Sequence, residues 1–375
     1  MTGTQKIRLG LAIAVVSVSV PFQAATAEEP HLAVRTGLKC AQCHVNRSGG
    51  GGRNAFGSIW AQTQLPMRTV GVRSRALTDW VSIGLDLRAL GTWNASKGQD
   101  GEGTVPTTAI EITDAQVQLE ARLIDNKLAF YIDQTLGPER AFSRELFGLV
   151  EQLPLNGYVK AGKFLLPYGW RLWDDGEFIR EETGFTYRTP DLGVELGIEP
   201  GRLSWFVALT NGSVGASEGN NGKMLSSTAV FTWPGFRAGA SAAHNQGVGM
   251  RTQLVGAYAG FSVGPLVVLG EVDAAFDTFD DPSTDDKDGL LAFIEGDLLV
   301  RKGVNLKVTH GFHDPTASIR SGVEAVEEDQ RARTRLGVET FPVSFVQLSA
   351  FYTRLDNAGE GRDVDQLSLE LHMHF

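Results

Sequence analysis

Only two of the 375 residues are cysteine, Cys40 and Cys43, too few thiols for a four-cysteine zinc cage. Long apolar runs are missing as well. The stretch from Leu9 to Val20 is about half of what a membrane-spanning helix needs, and no later segment approaches that length, so insertion as helices is excluded. Positive charge is in short supply: 34 Lys and Arg against 44 Asp and Glu leave a formal net charge of -10, the wrong sign for a nucleic-acid partner. An aliphatic content dense enough for two soluble cores is also absent, whereas 44 glycines suit strands, tight turns and a barrel wall.

The chain opens "MTGTQKIRLGLAIAVVSVSVPFQAATA": basic Lys6 and Arg8, the apolar run, then Ala25-Thr26-Ala27, the layout of an export signal cleaved after residue 27. Its loss would carry off Lys6 and Arg8 and leave the mature chain two charges more negative. An exported chain without a helical anchor has two fates, a soluble periplasmic protein or an outer-membrane barrel.

From Thr78 onward the pattern has period two, as in strands with one apolar and one polar face. In "ITDAQVQLEARLI", Ala115, Val117, Leu119, Ala121 and Leu123 alternate with Asp114, Gln116, Gln118, Glu120 and Arg122. The same reading fits Val81 to Arg88 and Val304 to Val308. About sixteen such segments start near 78, 112, 126, 144, 156, 186, 203, 224, 235, 250, 265, 288, 303, 329, 344 and 362. Their connections alternate. Those at 125–126, 153–156, 199–202, 234–235, 264–265, 301–303 and 342–344 are short and turn-rich, while those at 94–110, 166–185, 211–223, 278–288, 313–328 and 356–361 are mostly long and polar.

That alternation belongs to periplasmic turns and extracellular loops. The final "DQLSLELHMHF" puts Leu367, Leu369, Leu371, Met373 and Phe375 on one face and resembles the recognition signal of the barrel-assembly machinery. Trp80, Trp93, Trp205 and Trp233 fall near strand ends, where an interfacial aromatic girdle would place them. The prediction is an all-β chain: a sixteen-stranded antiparallel outer-membrane barrel over 78–375, preceded by a short segment, 28–77.

That segment holds "CAQCH". Two intervening residues set both thiols along one edge of a haem, and the adjacent His44 can fold under the ring as the proximal iron ligand. The competing readings are a redox dithiol, which lacks its βαβ context here, a structural disulfide, and half a zinc site, which lacks further ligands nearby. One covalent haem c on Cys40, Cys43 and His44 is therefore expected.

The surrounding residues "RTGLKCAQCHVNRSGGGGRNAFG" resemble the N-terminal region of the fused monohaem cytochrome-porin family of outer-membrane iron-oxidising proteins. In that family an Arg-Thr-Gly lead-in, here Arg35 to Gly37, precedes the haem motif, and a Phe-Gly, here Phe56 and Gly57, follows it. The layout agrees: export signal, one haem, a barrel to the last residue. The run Gly49 to Gly52 departs from the family's more hydrophobic connector, and "KAGKFLLPYGWRLWDDG", Lys160 to Gly176, is similar to a segment of phosphate-selective-type porins. The resemblance implies an electron conduit in the outer membrane of a Gram-negative bacterium, linking an extracellular donor or acceptor, Fe(II) among them, to a periplasmic cytochrome c.

Distance fixes where such a haem would have to sit. The apolar band of these barrels is roughly 25 Å tall, and a haem hanging free in the periplasm could not serve a donor outside. About fifty residues are also too few to fold reliably alone. Residues 28–77 are thus expected to enter the barrel as a plug, with the haem midway. His31 and Met67 are the candidate sixth ligands on that segment, and His372 and His374, on the lumen face of the last strand, are weaker ones. Parity turns His244 and His310 outward.

Arg331, Arg333 and Arg335 form a basic row on a lumen face, read as a charge ladder with Lys307, Glu295 and Asp297 or as partners for haem propionates. Asp174, Asp175 and Glu177, Asp280 to Asp288, and Glu327 to Asp329 are read as acidic clusters of the outer loops. The alternative from another class is a solute porin, passing anions through an arginine-lined lumen around a structural or sensory haem plug.

Overall fold

The computed structural model of the chain describes residues 29–96, 106–137, 141–216, 218–320, 329–357 and 363–375. The export-signal reading of residues 1–27, and the acidic pair Glu327 and Glu328, lie outside them. Three short helices come first: α1 (Pro30–Thr36), α2 (Cys40–Cys43) and α3 (Ala55–Gln64). Sixteen strands follow: β1 (Val81–Ser96), β2 (Thr107–Ile124), β3 (Leu128–Gly137), β4 (Phe142–Leu153), β5 (Gly157–Phe164), β6 (Asp191–Ile198), β7 (Leu203–Thr210) and β8 (Met224–Trp233). The second half comprises β9 (Phe236–Gln246), β10 (Met250–Val263), β11 (Leu266–Phe279), β12 (Lys287–Arg301), β13 (Val304–Asp314), β14 (Arg331–Val343), β15 (Val346–Asn357) and β16 (Val364–His374). A one-turn helix, α4 (Phe178–Glu181), interrupts the β5–β6 connection.

Each strand pairs antiparallel with its sequence neighbour, and β1 closes the cylinder on β16 through Asp86 opposite His374 to Ser96 opposite Val364. Closure removes the unpaired edges that would be intolerable in a bilayer. Strand starts agree with the sequence pattern to within five residues, the largest offsets falling at β2 and β6. The period-two assignment holds face by face: Gln116, Gln118 and Glu120 are buried inside, while Leu119 points out. The outer wall is a continuous apolar skin that includes Leu196, Val255, Ile294, Leu336 and Leu369. Trp80, Trp93, Trp205 and Trp233 are exposed on it, as an aromatic girdle requires.

The β5–β6 connection is the main departure from the expected layout. It does not extend outward but folds back into the lumen, burying Leu165, Tyr168, Trp170, Leu172, Trp173, Phe178 and Tyr187. Its acidic trio Asp174, Asp175 and Glu177 is therefore buried inside the barrel and is not an outer-loop cluster. The physical reason lies in its composition: a loop with that much large apolar surface gains by leaving water. Of the remaining acidic residues, Asp280, Asp281, Asp285 and Asp286 are exposed between β11 and β12, and Asp288 is held by Arg320.

Residues 29–77 gather at the end of the cylinder where the short turns lie. Gly235 N–H donates to Val34 O at 2.9 Å, and Lys39 Nζ donates to Leu203 O at 2.7 Å. Lys302 Nζ donates to Thr63 O at 2.9 Å, and Met67 N–H to Phe341 O at 2.8 Å. The loop 46–52 reaches deeper, so that Asn46 Nδ2 donates to Glu145 Oε1 at 2.6 Å.

The lipid-facing skin gives a direct test. Leu369, at the middle of β16 and 67% exposed, is expected to tolerate Leu369→Lys poorly, losing about 2–4 kcal/mol in denaturant unfolding from phospholipid vesicles. The same change at the loop residue Val248 is expected to cost less than about 0.5 kcal/mol.

Candidate functional site

The local fold around the cysteines comes from short-range capping. α2 is a single turn with Cys40 and Cys43 at its two ends, and His44 N–H closes it on Cys40 O at 2.9 Å. Asn54 then clamps the turn: its Nδ2 donates to Ala41 O at 3.1 Å, while its Oδ1 accepts from Gly57 N–H at 2.9 Å and caps α3. α3 lies so close to α2 that any Cβ on Gly57 would collide with the Cys43 carbonyl. The glycine run has an equally physical cause. Gly49, Gly50 and Gly51 adopt φ of 103°, 85° and 65°, and side chains there would strike Cys40 Sγ, Arg171 and Glu145. Four glycines thus let the loop pass between the cysteine turn and the lumen wall.

Cys40, Cys43 and His44 all line one cavity, partly open to solvent, between the N-terminal segment, the barrel wall and the inward loop. Its walls are largely apolar, with Leu32, Trp60 and Leu65 from the N-terminal segment and Phe206, Val230 and Tyr258 from the barrel. The inward loop roofs it with Tyr168, Trp170, Arg171 and Tyr187. Lys39, Arg53, Arg171 and Arg237 add four cationic side chains at its margin against a single acid, Glu29. Arg237 Nη2 lies 3.2 Å from Cys40 Sγ.

These residues fit a c-type haem. Both thiols are unpaired, both border the cavity, and the His44 ring aims Nδ1 at Gly51 O, 3.4 Å away. A backbone carbonyl at Nδ1 selects the tautomer whose Nε2 lone pair serves as a metal ligand. The surplus of lysine and arginine at the margin matches two propionates. Burial pushes the Cys43 thiol up to about 11, with the neighbouring Cys40 adding to the rise. A redox dithiol needs the opposite, a thiolate favoured near neutrality.

The other residues singled out from the sequence are not brought to this cavity. His31 sits on α1 but on the face away from it, beside Glu29 and Asp297. Met67 lies on the outer rim of the short-turn end, 38% exposed. His372 hydrogen-bonds Asp86 at 2.9 Å and Gln347 at 3.0 Å, and His374 Nδ1 lies 3.1 Å from Arg53; neither lines the cavity. Among the described residues lining the cavity, His44 is the only histidine and no methionine is present.

The haem expected midway through the barrel would accordingly sit toward the short-turn end. The basic row also has other partners. Arg333 donates to Asp174 at 2.7 Å and Glu177 at 2.8 Å, Arg335 to Asp174 at 2.6 Å, and Arg331 reaches Glu182. The arginines at the cavity margin are instead Arg53, Arg171 and Arg237, which the sequence reading did not single out. Arg237 was accessible from parity, as the one charged residue on the lumen face of β9.

Above the cavity the inward loop is fixed by buried polar contacts. Tyr168 OH donates to Asp273 at 2.9 Å, Trp170 N–H to Glu271 at 2.7 Å and Trp170 Nε1 to Gly270 O at 3.0 Å. Burial holds Glu177 up to about 7, whereas Arg333 and Arg335 keep Asp174 below its ordinary value despite its burial.

No family model matches the chain, and no curated protein matches it. Solved structures do. OmpT of Vibrio cholerae, an outer-membrane protein, is 14% identical with a TM-score of 0.57 over 80% of this chain and 100% of its own. An anion-selective porin from Comamonas acidovorans is 11% identical with a TM-score of 0.59 over 79% of this chain and 99% of its own. OmpF of Salmonella typhi in complex with daunomycin is 11% identical with a TM-score of 0.58, covering 79% of this chain and 97% of its own. The fold is that of a porin-like outer-membrane barrel. About one-fifth of this chain has no counterpart in those three proteins.

Asp174 ties the inward loop to β14, and Asp174→Asn leaves Arg333 and Arg335 with less than their share of negative charge. Docking of residues 165–190 is expected to weaken by about 3–5 kcal/mol, read as faster proteolysis of that loop in the folded barrel.

Proposed function

We propose that the chain is an electron conduit of the outer membrane, carrying one covalent haem c at the periplasmic end of a plugged porin-type barrel, and that it belongs with the fused monohaem cytochrome-porin proteins. The observation that carries this reading is the convergence of Cys40, Cys43 and His44 on one cavity, beneath an inward loop whose large apolar side chains are buried in the lumen. Lumen-facing side chains are buried all round the wall, Arg88, Glu145, Lys160, Glu195, Asp273 and Glu339 among them. In an open porin such groups face water. A filled cylinder retards solutes but not electrons, which tunnel through packed protein.

Cys40 and Cys43 would hold the porphyrin covalently as thioethers. His44 would present Nε2 to the iron, held by the Gly51 carbonyl. Arg53, Arg171 and Arg237 would hold the propionates, and Tyr168, Trp170 and Tyr187 would exclude water from the upper face. The bound haem supplies one-electron exchange. Its partners on this reading are an extracellular donor or acceptor, with Fe(II) the donor implied by the family likeness, and a periplasmic cytochrome c.

The second reading is a solute porin with a haem-bearing plug, favoured by the likeness to OmpT, OmpF and the anion-selective porin. The two separate in proteoliposomes. The conduit is expected to reduce or oxidise an enclosed dye from outside, to lose this at least tenfold with Cys40→Ala, and to show little ion conductance. Equal, substantial conductance with and without Cys40→Ala overturns it in favour of the porin. Because no second histidine and no methionine line the cavity among the described residues, Met67→Ala and His31→Ala are expected to leave the reduced visible spectrum unchanged, whereas His44→Ala is expected to change it.

A further inference from the structure

On the side of α1 turned away from the cavity lies a closed group of ionisable side chains that the haem reading does not use. α1 presents Leu32, Ala33 and Thr36 to the cavity and His31 to the wall formed by β12 and β13. There Glu29, His31 and Glu295 each offer one ligand atom, all within 4.8 Å of one another. Asp297, two residues along β12 from Glu295, approaches His31 Nδ1 at 3.5 Å, and Glu339 on β14 faces the same point.

Lys307 enters from β13. It contacts Glu29 and lies 3.6 Å from both Glu295 and Asp297 and 3.5 Å from Glu339. Four buried carboxylates thus face one ammonium. Of the neighbouring arginines, Arg335 pairs with Asp174, and Arg35, whose charge faces Asp297, donates to Pro265 O.

The polar accounting does not close with protein groups. His31 is 1% exposed, and among the described residues its two ring nitrogens and the carboxylate oxygens of Asp297 and Glu339 meet only long contacts: His31 Nδ1 lies 3.5 Å from Asp297 and 3.6 Å from Glu29, and Lys307 lies 3.6 Å from Asp297 and 3.5 Å from Glu339. A buried imidazole and four buried carboxylates that share a single ammonium are under-supplied with positive charge, which a bound cation would provide.

We propose that Glu29, His31 and Glu295 bind a divalent first-row transition ion, with Asp297 and Glu339 supplying further oxygens. One imidazole nitrogen among carboxylates favours Mn(II), Fe(II) or Zn(II) over Mg(II) and Ca(II), which take oxygen almost exclusively. Lys307 competes for the same oxygens and moderates the affinity. Glu29 also borders the cavity, so the ion would be separated from it by a single short helix. The site depends on the barrel wall and α1 alone, and stands or falls independently of the haem.

The test uses the full-length protein as purified in detergent, stripped with a chelator and titrated with Mn(II) followed by electron paramagnetic resonance. One Mn(II) per chain is expected, with coupling from one imidazole nitrogen in the pulsed spectrum of the unaltered protein. His31→Ala and Glu295→Gln are each expected to weaken binding roughly tenfold or more, and Lys307→Met to tighten it. Barrel closure in each variant is checked by heat-modifiable gel mobility. Absence of stoichiometric binding, absence of nitrogen coupling in the unaltered protein, or undiminished binding in folded His31→Ala overturns the site.

Discussion

A sixteen-stranded cylinder encloses more space than its own inward side chains can fill, and those side chains are charged. The structure turns on how that charged interior is satisfied without water. Glu145 shows the solution most clearly: it accepts from Asn46 of the N-terminal segment at 2.6 Å and from Leu165 N–H of the inward loop at 3.0 Å. Lys160, beside it, donates to Asn46 Oδ1 at 2.7 Å and pairs with Glu195 at 3.0 Å. One small knot of buried polar groups therefore joins wall, plug and loop. Its members are all desolvated, so leaving any one unpaired would be costly, and the three parts are fixed together as a unit.

The cavity inherits its shape from that knot. The glycine loop 49–52 can lie flat against the wall because Tyr131 OH accepts Gly52 N–H while Glu145 holds Asn46. The cysteine turn then hangs from the loop on one side and from Asn54 on the other. The roof is set from above by Glu271 and Asp273 gripping Trp170 and Tyr168. Neither half of the cavity could be positioned by the N-terminal segment alone.

Much of the barrel was legible because a strand in this setting has a binary environment. Hydrocarbon on one side and a polar lumen on the other impose a period that needs no tertiary knowledge, which is why the facings of Gln118, Glu120, His244 and His310 could be read residue by residue. The grouping of Cys40, Cys43 and His44 was legible because it is local, spanning five residues. The inward loop was not, since length and charge alone read it as solvated. Its signal was there, in the large apolar residues Leu165, Leu166, Tyr168, Trp170, Leu172 and Trp173 crowded into nine positions. The facing of His31 was beyond reach for a different reason. A seven-residue helix has no repeated apolar stripe to fix its phase, and only contact with Glu295 and Asp297 determines which way the imidazole turns.

Plug and barrel also depend on each other energetically. The apolar cluster of Ala61 and Leu65 is completed by Phe341, a barrel residue, with Leu32 and Trp60 packed at its margin. A segment this short, whose core borrows a wall residue, gains too little burial to offset its chain entropy when separate. The barrel in turn carries Glu145, Glu195, Glu295 and Glu339 on its inner face, and their partners lie partly on the segment. Removing the segment would re-expose that wall to water, which is tolerable for charged groups, but would also strand the apolar face of the inward loop, which is not. The inward loop therefore narrows the cylinder from within, and its apolar surface is buried against the barrel wall, where Trp170, Leu172 and Phe178 join the cluster of Val230, Tyr258 and Leu269.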